Sequence, residues 1–238
     1  MVSKNEVKYI QSLYAKKNRQ SLGMFVAEGV KTVGELLAAG LTVRKVYALQ
    51  EWNVELPAMV EKIVVSEEEL QRLSNHPSPQ QVLGVFEIPV YNLEQVKQEG
   101  LQLALDGIQD PGNLGTIIRL ADWFGIETIF ASSDTVDCYN PKVVQASMGS
   151  LGRVMLFYGD LHLYLKNKKV FGAMLDGKPV HQMEAQRDGV LLIGNEGGGI
   201  RAENLGLIQH KITIPRKGKA ESLNAAMAAG IILSHLTR

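Results

Sequence analysis

Three short stretches in the second half of the chain bring together residue types able to do chemistry. They are Asp110-Pro111-Gly112-Asn113-Leu114-Gly115 followed by Arg119, then Gly194-Asn195-Glu196-Gly197-Gly198-Gly199, then Ile214-Pro215 leading to Glu221-Ser222-Leu223-Asn224. Each joins an apolar run to a turn rich in glycine or polar residues. Together they offer a guanidinium, a carboxylate, amides and a hydroxyl.

Each stretch also has a plainer reading. Asn113 follows Gly112 and precedes an apolar periodic segment, which suits a helix N-cap. Leu114, Ile117, Ile118, Ala121 and Phe124 form the buried stripe of that helix, and Arg119 lies off it. Taken alone, Arg119 reads as a surface arginine paired with Asp122 at i+3, worth roughly a few tenths of a kcal/mol. The glycines at 194–199 let the backbone approach a ligand closely, and they also suit a strand-to-helix turn. Gly197, Gly199 and Ala202 fit the G-x-G-x-x-A of dinucleotide sites, a weak pattern by itself. A dinucleotide fold expects that pattern in its first strand–helix unit, and the acidic candidate here, Glu221, follows a basic loop. Ser222 and Asn224 fall in the first turns of a C-terminal helix, where backbone N–H groups lack partners and capping is the ordinary use. The run Ala225-Ala226-Met227-Ala228-Ala229-Gly230 permits close backbone packing.

The elements that must position these residues follow from periodicity and punctuation. Residues 3–15 carry Val7, Ile10, Leu13 and Tyr14 at helical spacing, and 16–21 read as an exposed basic loop. Strands are expected at Met24–Ala27, Val43–Leu49 and Val82–Ile88, with a helix from Gly29 to Ala39 and a capping box at Ser66 and Glu69. The polar segment Pro89–Gly100 marks a boundary, giving domains at 1–92 and 99–238. Beyond it, strands at Leu101–Leu105, Thr128–Ala131, Arg153–Phe157, Val170–Met174, Val190–Ile193 and Lys211–Ile214 alternate with helices at Leu114–Phe124, Pro141–Met148, Asp160–Lys166, Ala202–Leu207 and Ala220–His235. Such alternation predicts an α/β fold with a mostly parallel sheet and helices on both faces. Ligands bind such sheets beyond the strands' carboxyl ends, and all three stretches follow one.

Composition sets limits. The 238 residues are 45% apolar, with 25 basic against 25 acidic side chains, so net charge names no partner. No apolar stretch approaches the roughly 20 residues of a membrane helix, and the first residues lack the apolar core of a signal peptide. A cytoplasmic protein with no membrane association is expected. A single cysteine, Cys138, and five histidines without ligand spacing predict no metal. Basic residues gather at Lys4, Lys8, Lys16, Lys17 and Arg19, and at Lys211, Arg216, Lys217 and Lys219. Phosphate contacts from such groups supply the sequence-independent part of RNA affinity.

In this order the three stretches resemble the motifs of the SpoU-type (TrmH-like) RNA 2′-O-methyltransferases of the SPOUT superfamily, over residues 100–238. That family's first motif has the form N-x-G-x-x-x-R, matched by Asn113, Gly115 and Arg119. The resemblance implies a sheet ending in a C-terminal trefoil knot that binds S-adenosylmethionine. It implies catalytic roles for Arg119, Asn113, Glu196, Ser222 and Asn224. Cofactor contacts fall to Gly194, Ile214 and Leu223, with Leu175, Asn195, Gly197 and Pro215 beside them. The family proposal of arginine as base strains against a guanidinium pKa above about 12, so holding the neighbouring phosphate and stabilising charge is the safer role. In the third motif this chain has a basic turn, Arg216-Lys217-Gly218-Lys219, where many members have a neutral one. More weakly, Gly23–Gly29 and the helix after it resemble a ribosomal-protein-like substrate-binding domain found on rRNA-directed members, favouring rRNA over tRNA. RNA contacts would then come from Lys16, Lys17, Arg19, Arg216, Lys217 and Lys219. SPOUT catalytic domains are usually homodimers, and the Ala-rich helix and Trp123-Phe124 suit that, though core packing explains both equally well. Two competing readings are an NAD-type oxidoreductase, from the Gly197–Ala202 pattern, and an RNA-binding module with an idle site. The intact catalytic set argues against the second.

Overall fold

Capping and apolar spacing shape the first ninety residues. The computed structural model describes every residue except Met1 and Gln98, which lie outside the described residues. In chain order, α1 (Lys4–Ser12) and α2 (Lys16–Leu22) precede β1 (Met24–Glu28), α3 (Val30–Ala38), β2 (Val43–Ala48), β3 (Glu61–Val64), α4 (Glu67–Leu73) and β4 (Val82–Glu87). Then come β5 (Leu101–Asp106), α5 (Pro111–Trp123), β6 (Thr128–Ser132), α6 (Pro141–Ser147), β7 (Met155–Gly159) and α7 (Leu161–Leu165). The chain ends with β8 (Val170–Pro179), β9 (Gly189–Gly194), β10 (His210–Thr213) and α8 (Ala225–Leu236).

The elements form two compact units, Met1–Val90 with Asp137–Gly152, and Tyr91–Val136 with Arg153–Arg238. In the first, the expected loop at 16–21 is instead the helix α2. Gly23, left-handed at φ 65°, closes it by donating its N–H to Arg19 O. The strand β3, a polar and mostly exposed segment, had no alternation to reveal it. The four strands order β1-β4-β2-β3. The expected boundary puts 137–152 with the second domain, but three contacts hold it to the first. The Phe25 and Tyr139 rings lie 4.8 Å apart. Arg19, 2% exposed, donates to Asp137 at 2.6 and 3.1 Å. An added Cβ on Gly149, at φ 89°, would overlap Glu35.

The second unit is a parallel six-stranded sheet ordered β10-β8-β9-β5-β6-β7. Its central strands β5, β6 and β9 are buried on both faces. Ala104, Phe130, Val190 and Leu192 pack with Leu161 and Leu165 of α7. The alternating residues Leu103, Ile129, Leu191 and Ile193 point the other way, and α5 and α8 pack against each other and onto β6, β8 and β9. From β5 the chain runs outward through β6 and β7, then crosses to β8 and β9 on the other side. The crevice of this fold class belongs at such a reversal, between β5 and β9. Some boundaries differ from expectation: β7 starts two residues late, and β8 extends to Pro179. β8 also breaks register, with Gly172 opposite Lys211 but Lys178 opposite Ile212, so residues 173–177 leave the ladder.

Candidate active site

Pairing of Asp106 with Gly194 sets the carboxyl ends of β5 and β9 side by side. The helix after β5 does not start at Asn113, as expected. Asp110 is its N-cap, accepting the Asn113 N–H at 2.8 Å, and Pro111 takes the first turn, where no N–H is needed. Asn113 therefore sits inside the first turn, buried, with its amide free for another task. Likewise α8 starts at Ala225 and not at Ala220: Asn224 caps it by accepting the Met227 N–H at 3.1 Å, and Ser222 lies before it in an exposed turn.

These caps produce a one-way chain of amides. Asn224 Nδ2 donates to Asn113 Oδ1 at 2.7 Å, and Asn113 Nδ2 donates to Glu196 Oε1 in a short hydrogen bond. With Met227 N–H on Asn224 Oδ1, both amide orientations are fixed by their partners. One residue from each of the three motif stretches thus meets the others. Glu196 Oε2 has no partner among the described residues.

The turn carrying Glu196 is closed by Asn195 and Gly199, which exchange backbone bonds of 3.0 and 2.8 Å. The Asn195 side chain is spent inside the protein. Its Nδ2 donates to Gly107 O at 2.8 Å, and its Oδ1 accepts from Gly197 and Gly198 at 2.9 and 3.3 Å. That leaves the side chain bracing the turn and only the backbone for a ligand. Gly194 admits no side chain, because an added Cβ would overlap Gly199 and Ile200 backbone. Residues 202–207 form a 3-10 helix without a side-chain cap. The glycine pattern therefore lacks the α-helix N-terminus that a dinucleotide pyrophosphate uses.

The remaining expected residues fall into three groups. Arg119 is exposed and has no hydrogen-bond or ion-pair partner among the described residues; Asp122, its expected partner, is held by Arg153 at 2.7 Å. The structure does not bring Arg119 or Ser222 into the amide chain. Leu175, 81% exposed, lies within β8's break, and the part-buried Ile214 with exposed Pro215 and Leu223 follows β10; Thr213 Oγ1 donates to Leu175 O at 3.1 Å. Of the basic set, Lys16, Lys17, Lys217 and Lys219 are exposed, and Arg216 donates to Ala220 O at 3.1 Å, bracing its own turn. Arg19, expected among the RNA contacts, is instead buried and bonded to Leu13 O and Asp137, because α2 turns it inward.

Sequence reasoning missed Asp106, Arg201 and Asn204, which surround the base of the Glu196 turn. Asp106 is 0% exposed and accepts from Arg201 N and Nε and from Asn204 Nδ2. A carboxylate directly after the apolar run 103–105 was the available signal. Hydrogen bonding to Asp106 holds the Arg201 guanidinium above its ordinary pKa. The Ser132 hydroxyl, and then Arg201, hold the Asp134 carboxyl below its ordinary value. Among the described residues no His, Cys, Asp or Glu cluster is arranged for a metal, and no helix is long and apolar enough to cross a membrane.

With this geometry in hand, comparison with known proteins is direct. The sequence pattern of the SpoU rRNA Methylase family matches residues 100–234, and that of an MRM3-like substrate binding domain matches residues 4–84. The chain is 31% identical to the 23S rRNA (guanosine(2553)-2'-O)-methyltransferase RlmP of Bacillus subtilis (strain 168), over 98% of this chain and 97% of that protein. It is 30% identical to a 23S rRNA (uridine(2479)-2'-O)-methyltransferase of Streptomyces viridochromogenes, over 96% and 88% of the two chains. The crystal structure of an AdoMet-bound rRNA methyltransferase from Sinorhizobium meliloti superposes with a TM-score of 0.89 at 30% identity, covering 99% of this chain and 96% of that one. This chain belongs to the SpoU rRNA methylase family.

Proposed function

We propose that this chain transfers the methyl group of S-adenosylmethionine to a ribose 2′-hydroxyl of ribosomal RNA, at the site where Glu196, Asn113 and Asn224 meet. The observation that carries the reading is that hydrogen-bonded chain, which joins the three motif stretches at neighbouring strand ends. Its relatives are named as 23S rRNA 2′-O-methyltransferases, which favours rRNA over tRNA.

The residues present fit the cofactor. Leu175, Leu223 and Ile214 offer apolar surface, the side-chain-free backbone of Gly197 allows close approach, and Gly194 lets the turn fold back tightly on its strand end. S-adenosylmethionine supplies, when bound, a methyl group on a positively charged sulfur. The protein's own task is to align the hydroxyl, exclude water and manage charge, and alignment alone can contribute about 7–11 kcal/mol. The unpartnered Arg119 guanidinium stays charged and is free to hold the phosphate beside the target ribose and to stabilise charge developing on its oxygen. Glu196 keeps Oε2 free to accept a hydrogen bond, while Asn113 and Asn224 fix its orientation. Ser222, exposed two residues before Asn224, is left free to contact the nucleotide.

Three further parts belong to the proposal. The trefoil knot involves the C-terminal strands, and the crossed order β10-β8-β9-β5 with α8 returning against α5 supports it. The first unit holds RNA in a cytoplasmic setting, with Lys16 and Lys17 among its exposed cations. A homodimer covers the α5–α8 face, where Trp123 is 82% and Met227 61% exposed.

The test is incubation of the protein with labelled S-adenosylmethionine and protein-free rRNA or tRNA, followed by mapping of alkali-resistant 2′-O-methyl sites. Arg119→Ala should abolish transfer while cofactor binding stays near normal by calorimetry. Near-normal turnover of that variant would refute the role given to Arg119, and labelling of tRNA alone would refute the choice of rRNA.

A further inference from the structure

We infer that Asp106, acting through Arg201 and Asn204, is the anchor that holds Glu196 against Asn113, a positioning role that rests on the site reading above. Asp106 ends β5 and is 0% exposed. A carboxylate so far from water persists only when well paired. Here Oδ2 accepts the Arg201 backbone N–H at 2.9 Å and Asn204 Nδ2 at 2.8 Å, and Oδ1 accepts Arg201 Nε at 2.6 Å. Arg201 Nη2 completes the ion pair. All these donors come from residues 201–204, immediately after the Glu196 turn.

The other side of the turn is tied to the next residue of the same strand end. Asn195 Nδ2 donates to Gly107 O at 2.8 Å. The turn is therefore clamped before and after Glu196 to two consecutive residues, Asp106 and Gly107. That strand end also feeds α5, which carries Asn113. One short piece of backbone sets both partners of the Glu196–Asn113 contact. The clamp has a competitor: Arg201 Nη2 and Nη1 also lie 3.3 and 3.5 Å from Asp134, and Nε lies 3.9 Å from Glu203. These outer contacts are longer and more exposed, so without Asp106 they would draw Arg201 and its segment outward.

A structural pair that merely stabilises the fold would not act through Glu196, and coupling separates the two cases. Turnover and RNA KM are measured for Arg201→Ala, Glu196→Ala and the double variant, with labelled S-adenosylmethionine and protein-free rRNA. Displacement of the turn should lower kcat about 100-fold in Arg201→Ala, since a misplacement near 1 Å costs about that much, with RNA KM little changed. Residues acting as a unit are not additive, so the double variant should be no slower than Glu196→Ala. If the two losses multiply, or if Arg201→Ala lowers melting temperature while kcat holds, the anchor is refuted. Should Arg201→Ala fail to fold, Arg201→Lys keeps the charge but loses the planar fork and enters the same cycle with the same two outcomes. Full turnover of Glu196→Ala would instead overturn the site assignment and the anchor with it, whereas multiplied losses overturn the anchor alone.

Discussion

Asn113→Asp tests the amide chain most sharply because it keeps shape and changes one donor. In the native protein Asn113 Nδ2 donates to Glu196 and Asn113 Oδ1 accepts from Asn224 at 2.7 Å. An aspartate can keep the second bond, but its other oxygen would face the Glu196 carboxylate. A hydrogen bond to a charged group is worth about 1.5–3 kcal/mol, and the substitution removes it. Two negative charges about 4 Å apart add repulsion of about 4 kcal/mol at an effective dielectric constant of 20. Protonating an ordinary carboxyl at pH 7 costs about 4 kcal/mol, so the two penalties are comparable and the pair should share a proton near neutrality. The sign follows from that raised pKa. The protonated aspartate donates to Glu196 and restores the chain; that stability is fully present below the unfolded pKa of about 4, is lost as pH rises to the raised value, and stays lost above it. Melting temperature followed from pH 4 to pH 8.5 should match the native protein at the acid end. With about 2–4 °C per kcal/mol for a protein of this size, the penalty of about 4 kcal/mol should lower it by about 8–16 °C at the alkaline end. Methyl transfer should be lost over the same range. A gap that does not change with pH, or no gap at all, would refute the Asn113–Glu196 contact as described.

Four other perturbations probe separate parts of the molecule. Gly194→Ala forces a Cβ into the backbone of Gly199 and Ile200; overpacking of this kind costs about 1–3 kcal/mol or more, and calorimetry should show loss of S-adenosylmethionine binding. Arg19→Ala breaks a buried pair with Asp137 and should destabilise the protein by about 3–5 kcal/mol in denaturant titrations, leaving the salt dependence of RNA binding unchanged. Lys16→Ala with Lys17→Ala should do the reverse, lowering the salt slope by about 1 for each RNA phosphate no longer neutralised. Burial, then the charge of Glu28, raises the Tyr14 phenol above its ordinary pKa, and burial raises Tyr47 to about 12. Their neutral forms stabilise the fold below about pH 10, where the unfolded phenols still hold their protons, and that stability is lost as pH rises through the folded values. Spectroscopic titration should show these tyrosines ionising late and together with unfolding, and Tyr47→Phe should flatten the alkaline decline.

Much of the second unit was legible because its central strands are short apolar runs closed by a polar or glycine turn. β5, β6 and β9 were found nearly to the residue, and with them the positions of the three motif stretches. Chemistry was legible as residue type and order: Asn113, Glu196 and Asn224 stood out before any contact was known. Their partnership was not. Nothing local in the sequence says that the Asn113 amide donates to a carboxylate 83 residues away or accepts from one of its own kind 111 residues away. Strand order decided that, by placing β5 beside β9. The same limit explains Arg19, which reads as one of several exposed cations until α2 turns it onto Asp137, and Asp106, which reads as the end of a strand until Arg201 and Asn204 close on it. Periodicity and punctuation are properties of neighbouring residues, so the sequence by itself determined the elements and the chemical inventory. Which polar groups face each other across the fold depends on long-range pairing and on burial that forbids an unpaired charge, and only the tertiary structure decided it.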